Sequence, residues 1–482
     1  MSDETAALIL TPVTKNAELC AQLTEVQDLL VEIAVDAGDQ ALRAWILQNG
    51  IQVRSVVMNK IDNRRWVQLV LGLVVMMTIS SPQYVWTLFV KPFQATTGAG
   101  LAAVQVTFTG LIVLQTFFSP VQGWLCDRFS TKFMIALGAA LSGLGWVAAS
   151  YAETLWGLYA SYGLLCGLGT GIVYVGIVGL MVRWFPDRRG FAAGIVAAGY
   201  GMGAMITTFP VTYMMEASGY RQTLFVFGMI LGAVGVVAAL GLRAPQADEI
   251  PPVSPTPSFA ISANDTAPRQ MLRTPLFWLM FAMMAMMSTG GLMVVANFAA
   301  FARDFGVADA LVFGFAALPF ALTFDRVTNG LTRPFFGWVS DKIGRENTMT
   351  IAFAMEACAI GLLLYNRQNA YAFALLSGIV FFAWGEIFSL FPSLLTDTFG
   401  TKHATTNYGF LYMAQGVGSL LGGPIAALIH DAVGSWVPVF GIAICLDLAT
   451  AALAYLVLRP MRRDWLARPT YADGGSGVAI VA

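Results

Sequence analysis

The chain has 482 residues, of which 57% are hydrophobic and only 11% are charged, and its formal net charge is −1. A soluble globular protein carries about a quarter charged residues, so this composition indicates a protein that crosses the membrane several times. The near-zero charge argues against nucleic acid as a partner. Two histidines and five cysteines without a CxxC pair argue against a metal or redox centre, and we expect no cofactor.

The first 62 residues are predicted to form a cytosolic N-terminal extension, 1–62. The start, MSDETAALILTP, carries acids where a secretory signal needs basic residues, so no cleavable signal peptide is expected. In residues 17–38, leucines and valines recur at helical spacing among acids, which favours an amphipathic helix. Both a solvated segment and a segment that binds a partner fit this pattern.

Twelve apolar runs, each long enough to span the hydrocarbon core as a helix, follow the extension. They lie at residues 66–89, 101–123, 133–151, 155–182, 190–214, 222–242, 275–300, 310–337, 348–366, 370–395, 405–430 and 435–458. The predicted fold class is therefore an all-α polytopic membrane protein with twelve transmembrane helices in two six-helix bundles. The predicted bundles are 63–243 and 273–460. A proline-, serine- and acid-rich cytosolic linker, 244–272, joins them, and 461–482 form a cytosolic tail.

Lysine and arginine collect in alternate loops, and this asymmetry predicts the orientation. The richer loops and flanks carry Arg64, Arg65, Arg128, Lys132, Arg183, Arg188, Arg189, Arg243, Arg269, Arg273, Lys342, Arg345, Lys402 and the run RPMRRDWLAR. The opposite loops carry Lys91, Arg221, Arg303 and Arg367. We expect both termini and the linker to face the cytoplasm, with the chain in the cell (inner) membrane.

The two halves repeat each other at an offset of 214 residues. The segment SPVQGWLCDRFSTK, 119–132, resembles RPFFGWVSDKIGRE, 333–346, and this pairs Asp127 with Asp341. Duplication around a central linker is typical of carriers whose two bundles rock around a central site. We interpret the two charged turns as a gate that latches one conformation; turns that only set the orientation are the alternative. The basic residues of these turns are Arg128, Lys342 and Arg345.

Arg333 lies in the eighth apolar run, directly before Pro334. An arginine near the hydrocarbon costs about 2.5–3.5 kcal/mol on insertion scales, so it normally faces a protein interior or a water-filled cavity. A guanidinium binds a carboxylate through two parallel hydrogen bonds, which lysine cannot copy. The counterpart of Arg333 in the first half is Ser119, which favours a substrate role outside the shared repeat. An arginine that reaches for the cytosolic headgroups is the alternative.

Nine motifs in order resemble the major facilitator superfamily and, within it, the oxalate:formate antiporter family. They are QYVWTL (83–88), LAAVQ (101–105), GIVY (171–174), RWFPDRRG (183–190), AAGYG (197–201), MLRTPLFW (271–278), RPFFGWVSDKIGR (333–345), FFAWG (381–385) and NYGF (407–410). The resemblance covers residues 64–460. It implies a secondary active transporter of small carboxylates that exchanges oxalate for formate by alternating access, and not an enzyme or receptor. We expect it to work as a monomer in the lipid bilayer.

The resemblance also implies a set of substrate-binding residues. In the family, the arginine that matches Arg333 contacts the substrate carboxylate and is paired with a lysine on the eleventh helix. Here Gln415 stands at the position of that lysine, so one positive charge is missing. The other residues that the resemblance places around the substrate are Gln83, Tyr84, Gln105, Tyr174, Tyr200, Trp384, Phe388 and Tyr412.

The missing lysine leaves two alternatives. Arg326 precedes Arg333 by seven residues and shares its helix face, so it is a candidate second cation; otherwise the site takes a monoanion. Asp325 either neutralises Arg326 in a charge pair near the outer side or carries a proton, which would suit a proton-coupled monocarboxylate symporter. Glu386 is another candidate proton carrier. It lies about 200° around the helix from Trp384, so it should point away from the substrate.

Overall fold

The computed structural model describes residues 64–246, 249–250, 262 and 265–467. The predicted N-terminal extension and most of the predicted C-terminal tail lie outside the described residues, as does the middle of the predicted linker.

Within the described residues, six helices form the first half. They are α1 (Arg64–Tyr84, followed by Trp86–Thr97), α2 (Leu101–Thr116 and Ser119–Arg128, bent by 45°), α3 (Thr131–Ser150), α4 (Leu155–Trp184), and α5 and α6, which meet at Gly219 within Arg189–Leu240. We call the part before Gly219 α5 and the part after it α6. Gly219 has φ +80°, which favours glycine because it has no Cβ, and here the chain turns back.

Six more helices form the second half in the described part after residue 265. They are α7 (Pro275–Asp304), α8 (Ala317–Ile343), α9 (Arg345–Tyr365), α10 (Ala370–Trp384 and Ile387–Phe399), α11 (Ala404–Val433) and α12 (Val437–Leu453, continued by Ala454–Leu458 and Arg459–Leu466). A single helical turn, Pro268–Met271, precedes α7.

A short antiparallel hairpin separates α7 from α8. Its strands are β1 (Leu311–Val312) and β2 (Phe315–Ala316), with Leu311 opposite Ala316. The apolar run predicted as a helix over 310–337 therefore starts with a hairpin, and the helix begins only at Ala317. An apolar segment can form either a helix or a hairpin, so hydrophobicity alone could not reveal the turn between the two strands. Gly314 permits this turn with φ +85°.

Nine helices of the described chain are long and apolar enough to cross a membrane, and the bent α2 makes ten. This total counts α5 and α6 once because no loop lies between them at Gly219. It leaves out α8, whose apolar run is interrupted by Asp325, Arg326 and Arg333. The predicted all-α class is confirmed, and the twelve predicted runs correspond to α1–α12.

The two halves meet chiefly through two helix pairs. α5 packs along α8, and α2 packs along α11. One apolar core cluster extends through both halves, from Leu69 in α1 to Leu458 in α12. The four paired helices surround the space in which the predicted site residues lie.

Candidate functional site

A cavity of about 380 Å³ lies between the two halves. This volume is in the range of sites that hold small molecules. Its polar and aromatic lining residues from the first half are Gln83, Tyr84, Gln115, Tyr174 and Tyr200. Those from the second half are Asp325, Arg326, Asn329, Arg333, Trp384, Phe388, Tyr412 and Gln415. The structure therefore brings together all but one of the residues predicted around the substrate.

Arg333 is the central cation of the cavity, and its side chain is only 2% exposed. One Nη donates to the carbonyl oxygen of Ala197 on α5, and the other donates to Oδ1 of Asn329 at 3.2 Å. The guanidinium carbon lies 4.6 Å from the centre of the Phe388 ring. Within the described residues no carboxylate pairs with Arg333, so neutral groups hold a positive charge that has no counter-ion there.

Tyrosines from both halves form one wall of the cavity. The rings of Tyr174 and Tyr412 are stacked, with centroids 4.7 Å apart. Tyr200 meets Tyr174 edge-to-face at 5.2 Å and Tyr84 at 5.6 Å. The hydroxyl of Tyr174 is buried, and no described residue bonds it. The aromatic rings of this wall are therefore tightly packed, and the hydroxyl of Tyr174 forms no hydrogen bond with a described residue.

Gln115 on α2 links this wall across the two halves, and it is absent from the predicted set. Its Nε2 donates to the hydroxyl of Tyr412 at 3.2 Å, and its Oε1 accepts from the hydroxyl of Tyr200 at 3.3 Å. The Tyr200 hydroxyl also donates to Oε1 of Gln83. The sequence feature that could have indicated Gln115 is its position as a glutamine inside the largely apolar stretch LIVLQTFF.

Trp384 and Gln415 lie on the second-half side of the cavity. Trp384 donates from Nε1 to the carbonyl of Met287 at 3.3 Å, and its ring stands perpendicular to Phe388. Gln415 accepts from the hydroxyl of Ser288 at 2.6 Å through Oε1, and its amide nitrogen has no partner among the described residues. The side-chain amide of Gln415 can therefore donate hydrogen bonds into the cavity but supplies no charge.

Gln105 is the one predicted substrate-binding residue that does not line the cavity. Its Oε1 accepts from Nε1 of Trp86 at 3.1 Å, so it bridges α1 and α2. Two phenylalanines and a tyrosine pack around Trp86, which belongs to a core cluster of the first half. A contact between Gln105 and substrate remains a prediction without a geometric basis.

Asp325 and Arg326 both line the cavity but do not form an ion pair with each other. Asp325 is 1% exposed; its Oδ1 accepts from the hydroxyl of Ser377 at 3.0 Å, and its Oδ2 has no partner in the described chain. Arg326 is exposed and pairs with no acid among the described residues. Glu386 is fully buried and does not line the cavity.

The two predicted gate aspartates each cross to the other half. Asp127, at the end of α2, accepts from the backbone N–H of Thr406 at 2.8 Å and from its hydroxyl at 2.6 Å, at the start of α11. Asp341, at the end of α8, accepts from the backbone N–H groups of Gly190 at 2.9 Å and Phe191 at 2.8 Å, at the start of α5. Each carboxylate therefore meets the positive end of a helix dipole.

Arg345 adds a second link between the halves. It donates to Asp341 at 2.6 Å and to Asp397 on α10 at 2.8 Å, and Asp397 also accepts from Arg189 on α5. Arg183 pairs with Asp127 in the first half. Arg183, Arg189 and Asp397 are functional candidates that were not in the predicted gate set.

Arg128 and Lys342 do not take part in these links. Arg128 lies 5.4 Å from the ring centre of Trp124, and Lys342 lies 3.9 Å from that of Trp338. Of the five predicted gate residues, three therefore join or brace the halves and two rest on surface tryptophans. All these contacts lie at the ends that carry the basic loops, where the two halves are closed against each other.

Comparisons with known proteins agree with this architecture. The profile of the Major Facilitator Superfamily matches residues 68–324 and 282–470. The oxalate:formate antiporter of Oxalobacter formigenes is 34% identical over 400 residues, which covers 83% of this chain and 93% of that protein. An uncharacterised MFS-type transporter of Escherichia coli is 27% identical, covering 74% of this chain and 86% of that protein. Monocarboxylate transporter 13 of Bos taurus is 24% identical, covering 69% and 75%.

Proposed function

Because the chain belongs to the major facilitator superfamily and, within it, to the family of the oxalate:formate antiporter, we propose that it exchanges oxalate for formate across the membrane by alternating access. The chain is a multi-pass membrane transporter and not an enzyme. The finer assignment, to these two small carboxylates, rests on the chemistry of the cavity together with the relative that bears that name.

The observation that carries the proposal is the charge of Arg333, which no carboxylate of the described chain compensates. A buried cation without a counter-ion costs several kcal/mol, and a protein retains such a group where an anion from outside completes it. The guanidinium is fixed by Ala197 and Asn329, so it is already oriented for a carboxylate. The surrounding tyrosines and Trp384 exclude water, which strengthens the ion pair, and they limit the size of the anion.

The second charge of oxalate has a candidate partner on the same helix. Arg326 lines the cavity two turns before Arg333 and pairs with no acid in the part of the chain that the structure describes. Because it is exposed and long, it can close on a bound dianion without being buried when the site is empty. Gln415 adds uncharged amide donors at the position where the family carries lysine. Formate, with one charge, needs Arg333 alone.

The closed side of the structure supports alternating access. The links through Asp127, Asp341 and Asp397 shut the side with the basic loops, which we assign to the cytoplasm. The structure then corresponds to a state closed toward the cytoplasm. Its counterpart forms when these links open and the halves close on the other side. Both termini would face the cytoplasm, in the cell (inner) membrane.

Counterflow in proteoliposomes tests the proposal. Vesicles loaded with oxalate should take up labelled oxalate, and external formate should compete, both without dependence on an imposed pH gradient. Empty vesicles made with the same protein are the matched control and should show no accumulation. If oxalate-loaded vesicles behave like empty ones, the protein is not an oxalate exchanger.

A second candidate function is proton-coupled transport of a monocarboxylate. It is favoured by Gln415, which supplies no charge, and by Asp325, which lines the cavity and has one carboxylate oxygen with no described partner. A relative named as a monocarboxylate transporter is compatible with it. This candidate predicts uptake of lactate into unloaded vesicles when the outside is acidic, and no oxalate counterflow.

A further inference from the structure

A serine of α7 holds the side-chain amide of Gln415 from behind the cavity wall. Ser288 is fully buried and does not line the cavity. Its hydroxyl donates to Oε1 of Gln415 at 2.6 Å, across the contact between α7 and α11. Within the described chain, this is the one hydrogen bond of the Gln415 side chain. The next residue, Thr289, donates its hydroxyl to the carbonyl of Ala285 in its own helix instead.

Close packing of α7 against α11 keeps Ser288 beside Gln415. A Cβ placed on Gly418 of α11 would collide with Cβ of Ser288. A Cβ on Gly422, one turn farther along α11, would likewise collide with the side chain of Leu292 on α7. The two glycines therefore let the backbones of α7 and α11 approach each other at this level, which holds the Ser288 hydroxyl within reach of the amide.

The same turn of α7 supports a second residue of the cavity wall. The carbonyl oxygen of Met287, which precedes Ser288, accepts from Nε1 of Trp384 at 3.3 Å. Gly291 lies against the ring of Trp384, so closely that a Cβ would collide with it. Residues 287–291 of α7 thus hold one cavity side chain from α10 and one from α11.

The bond from Ser288 determines which end of the amide faces the cavity. A glutamine amide has an acceptor oxygen at one end and a donor NH₂ group at the other, and rotation about its terminal bond exchanges the two. With Oε1 held by Ser288, Nε2 is left for the cavity, which Gln415 lines. If the amide turned over, the buried hydroxyl proton would lose the acceptor that it has among the described residues, and an oxygen would face the bound anion.

We propose that Ser288 is a positioning residue that determines specificity, because it fixes the NH₂ group of Gln415 toward the cavity as a donor for oxalate. Arg333 binds one carboxylate of either anion. The second carboxylate of oxalate gives the amide an acceptor, whereas both oxygens of formate are engaged by the guanidinium. Ser288 acts through Gln415 and does not touch the substrate. The inference rests on the proposed carboxylate transport.

Affinities of the purified full-length protein for the two anions test the inference. Isothermal titration calorimetry in detergent gives the Kd of oxalate and of formate. We expect Ser288→Ala to raise the Kd of oxalate by about threefold to tenfold, since the amide no longer offers a fixed donor, and to leave that of formate within about twofold. Thr289→Ala removes a hydroxyl from the next position of α7, and as the matched control it should leave both affinities unchanged.

Two variants of nearly equal shape separate the hydroxyl from packing. Threonine and valine fill almost the same volume, but only threonine carries a hydroxyl donor. Ser288→Thr should therefore bind oxalate at least about threefold more tightly than Ser288→Val, while the two bind formate equally. This pair decides the question even if Ser288→Ala lowers the thermal stability of the protein. Equal oxalate affinities in the pair would contradict the role of the hydroxyl.

A double-mutant cycle shows whether Ser288 acts through Gln415. Gln415→Ala removes the amide, so adding Ser288→Ala to this variant should cause no further loss of oxalate affinity. If the two losses add, Ser288 acts by another route and the inference is wrong.

The outcomes separate this inference from the proposed function. If the wild type binds oxalate and formate but Ser288→Ala weakens neither, or weakens both equally, the positioning role is wrong and the transport proposal stands. If the folded wild type binds neither anion, the proposed function fails, and the inference that rests on it fails as well.

Discussion

Asp127 and Asp341 lie 214 residues apart, and each accepts at least one backbone N–H from the start of the fifth helix of the opposite half. The duplicated turn is therefore used twice in the same way, as a reciprocal clasp between the halves. Glycine makes this approach possible, since a Cβ on Gly123 would overlap the backbone of Thr405 and one on Gly337 that of Gly190. We therefore predict that the two clasps bias the equilibrium between the conformations of the transporter.

Removing one clasp should open the basic side of the protein. Asp341→Asn removes the negative charge and leaves one acceptor oxygen for the two N–H groups at the start of α5, a loss of about 1–2 kcal/mol. We expect a population shift of roughly tenfold toward the state open on that side. Spin labels at positions 128 and 402, on opposite halves, should report longer distances by double electron–electron resonance.

The control for the clasp is a substitution of another charged residue in the turn that contains Asp341. Lys342→Gln removes a cation that rests on Trp338 and forms no ion pair across the halves in the described part of the chain, so it should leave the distance distribution unchanged. Asp127→Asn should reproduce the effect of Asp341→Asn. If neither aspartate variant alters the distances, the clasps do not bias the conformational equilibrium.

The bidentate role proposed for Arg333 predicts that a lysine at this position transports oxalate poorly. Arg333→Lys keeps the charge but loses the bonds to Ala197 and Asn329 and the two-pronged geometry. We expect oxalate exchange to fall by about tenfold to a hundredfold, since a charged hydrogen bond contributes roughly 1.5–3 kcal/mol. The initial rate and the half-saturating oxalate concentration in proteoliposomes are the measurements.

A matched substitution separates this effect from general damage. Arg128→Lys makes the same change at an arginine that lies over Trp124 on the surface, and it should exchange oxalate at the wild-type rate. Full exchange by Arg333→Lys, at normal expression and thermal stability, would contradict the anchoring role.

Glu249 provides a pH-dependent link outside the membrane. Its side chain is 3% exposed and accepts from Arg243 and Arg64, which lower the pKa of the carboxyl from 4.5 to about 2. A lowered folded pKa stabilises the fold above the ordinary pKa, and the contribution is lost as the pH falls toward 2. Because both arginines are partly exposed, we expect it to be about 0.5–1 kcal/mol.

The comparison of wild type with Glu249→Gln isolates this contribution. The wild type should unfold at a higher temperature at pH 7, and the difference should stay constant down to about pH 5 and shrink below it. A scan of thermal unfolding in detergent across this range measures it. A difference that is unchanged or larger at about pH 3 would show that Glu249 does not act through its ionised form.

The helical architecture was predictable because each helix is encoded by a local run of apolar residues. The turn at 119–132 and its copy at 333–346 also identified Asp127 and Asp341 without a structure. The hairpin before α8 was not predictable from hydrophobicity. The break between α5 and α6, by contrast, lies at Gly219, in the gap predicted between the runs 190–214 and 222–242.

The side-chain network of the site was harder to predict than its cation. Arg333 and all six aromatic residues that the resemblance indicated do line the cavity, because recognisable motifs carry them. Gln115 and the link between Arg189 and Asp397 depend on contacts between residues far apart in the chain. Such contacts follow from the packing of the halves, which no local pattern specifies.

The position of Gln415 makes the number of positive charges in the cavity a testable determinant of substrate. If Arg326 is the second cation, Arg326→Gln should weaken oxalate binding by about tenfold and leave formate binding nearly unchanged, since only the dianion needs two charges. Competition of each anion against labelled substrate in binding assays measures both affinities.

A second variant adds a positive charge at Gln415, the position where the family carries lysine. In Arg326→Gln protein, Gln415→Lys should restore oxalate binding, because the new ammonium would lie in the same cavity as Arg333. The matched control is Ser419→Lys, which adds the same charge one turn along α11 on the cavity wall and should restore binding less well. Equal loss of oxalate and formate in Arg326→Gln would mean that Arg326 has no selective role, and the site would then be one for monoanions.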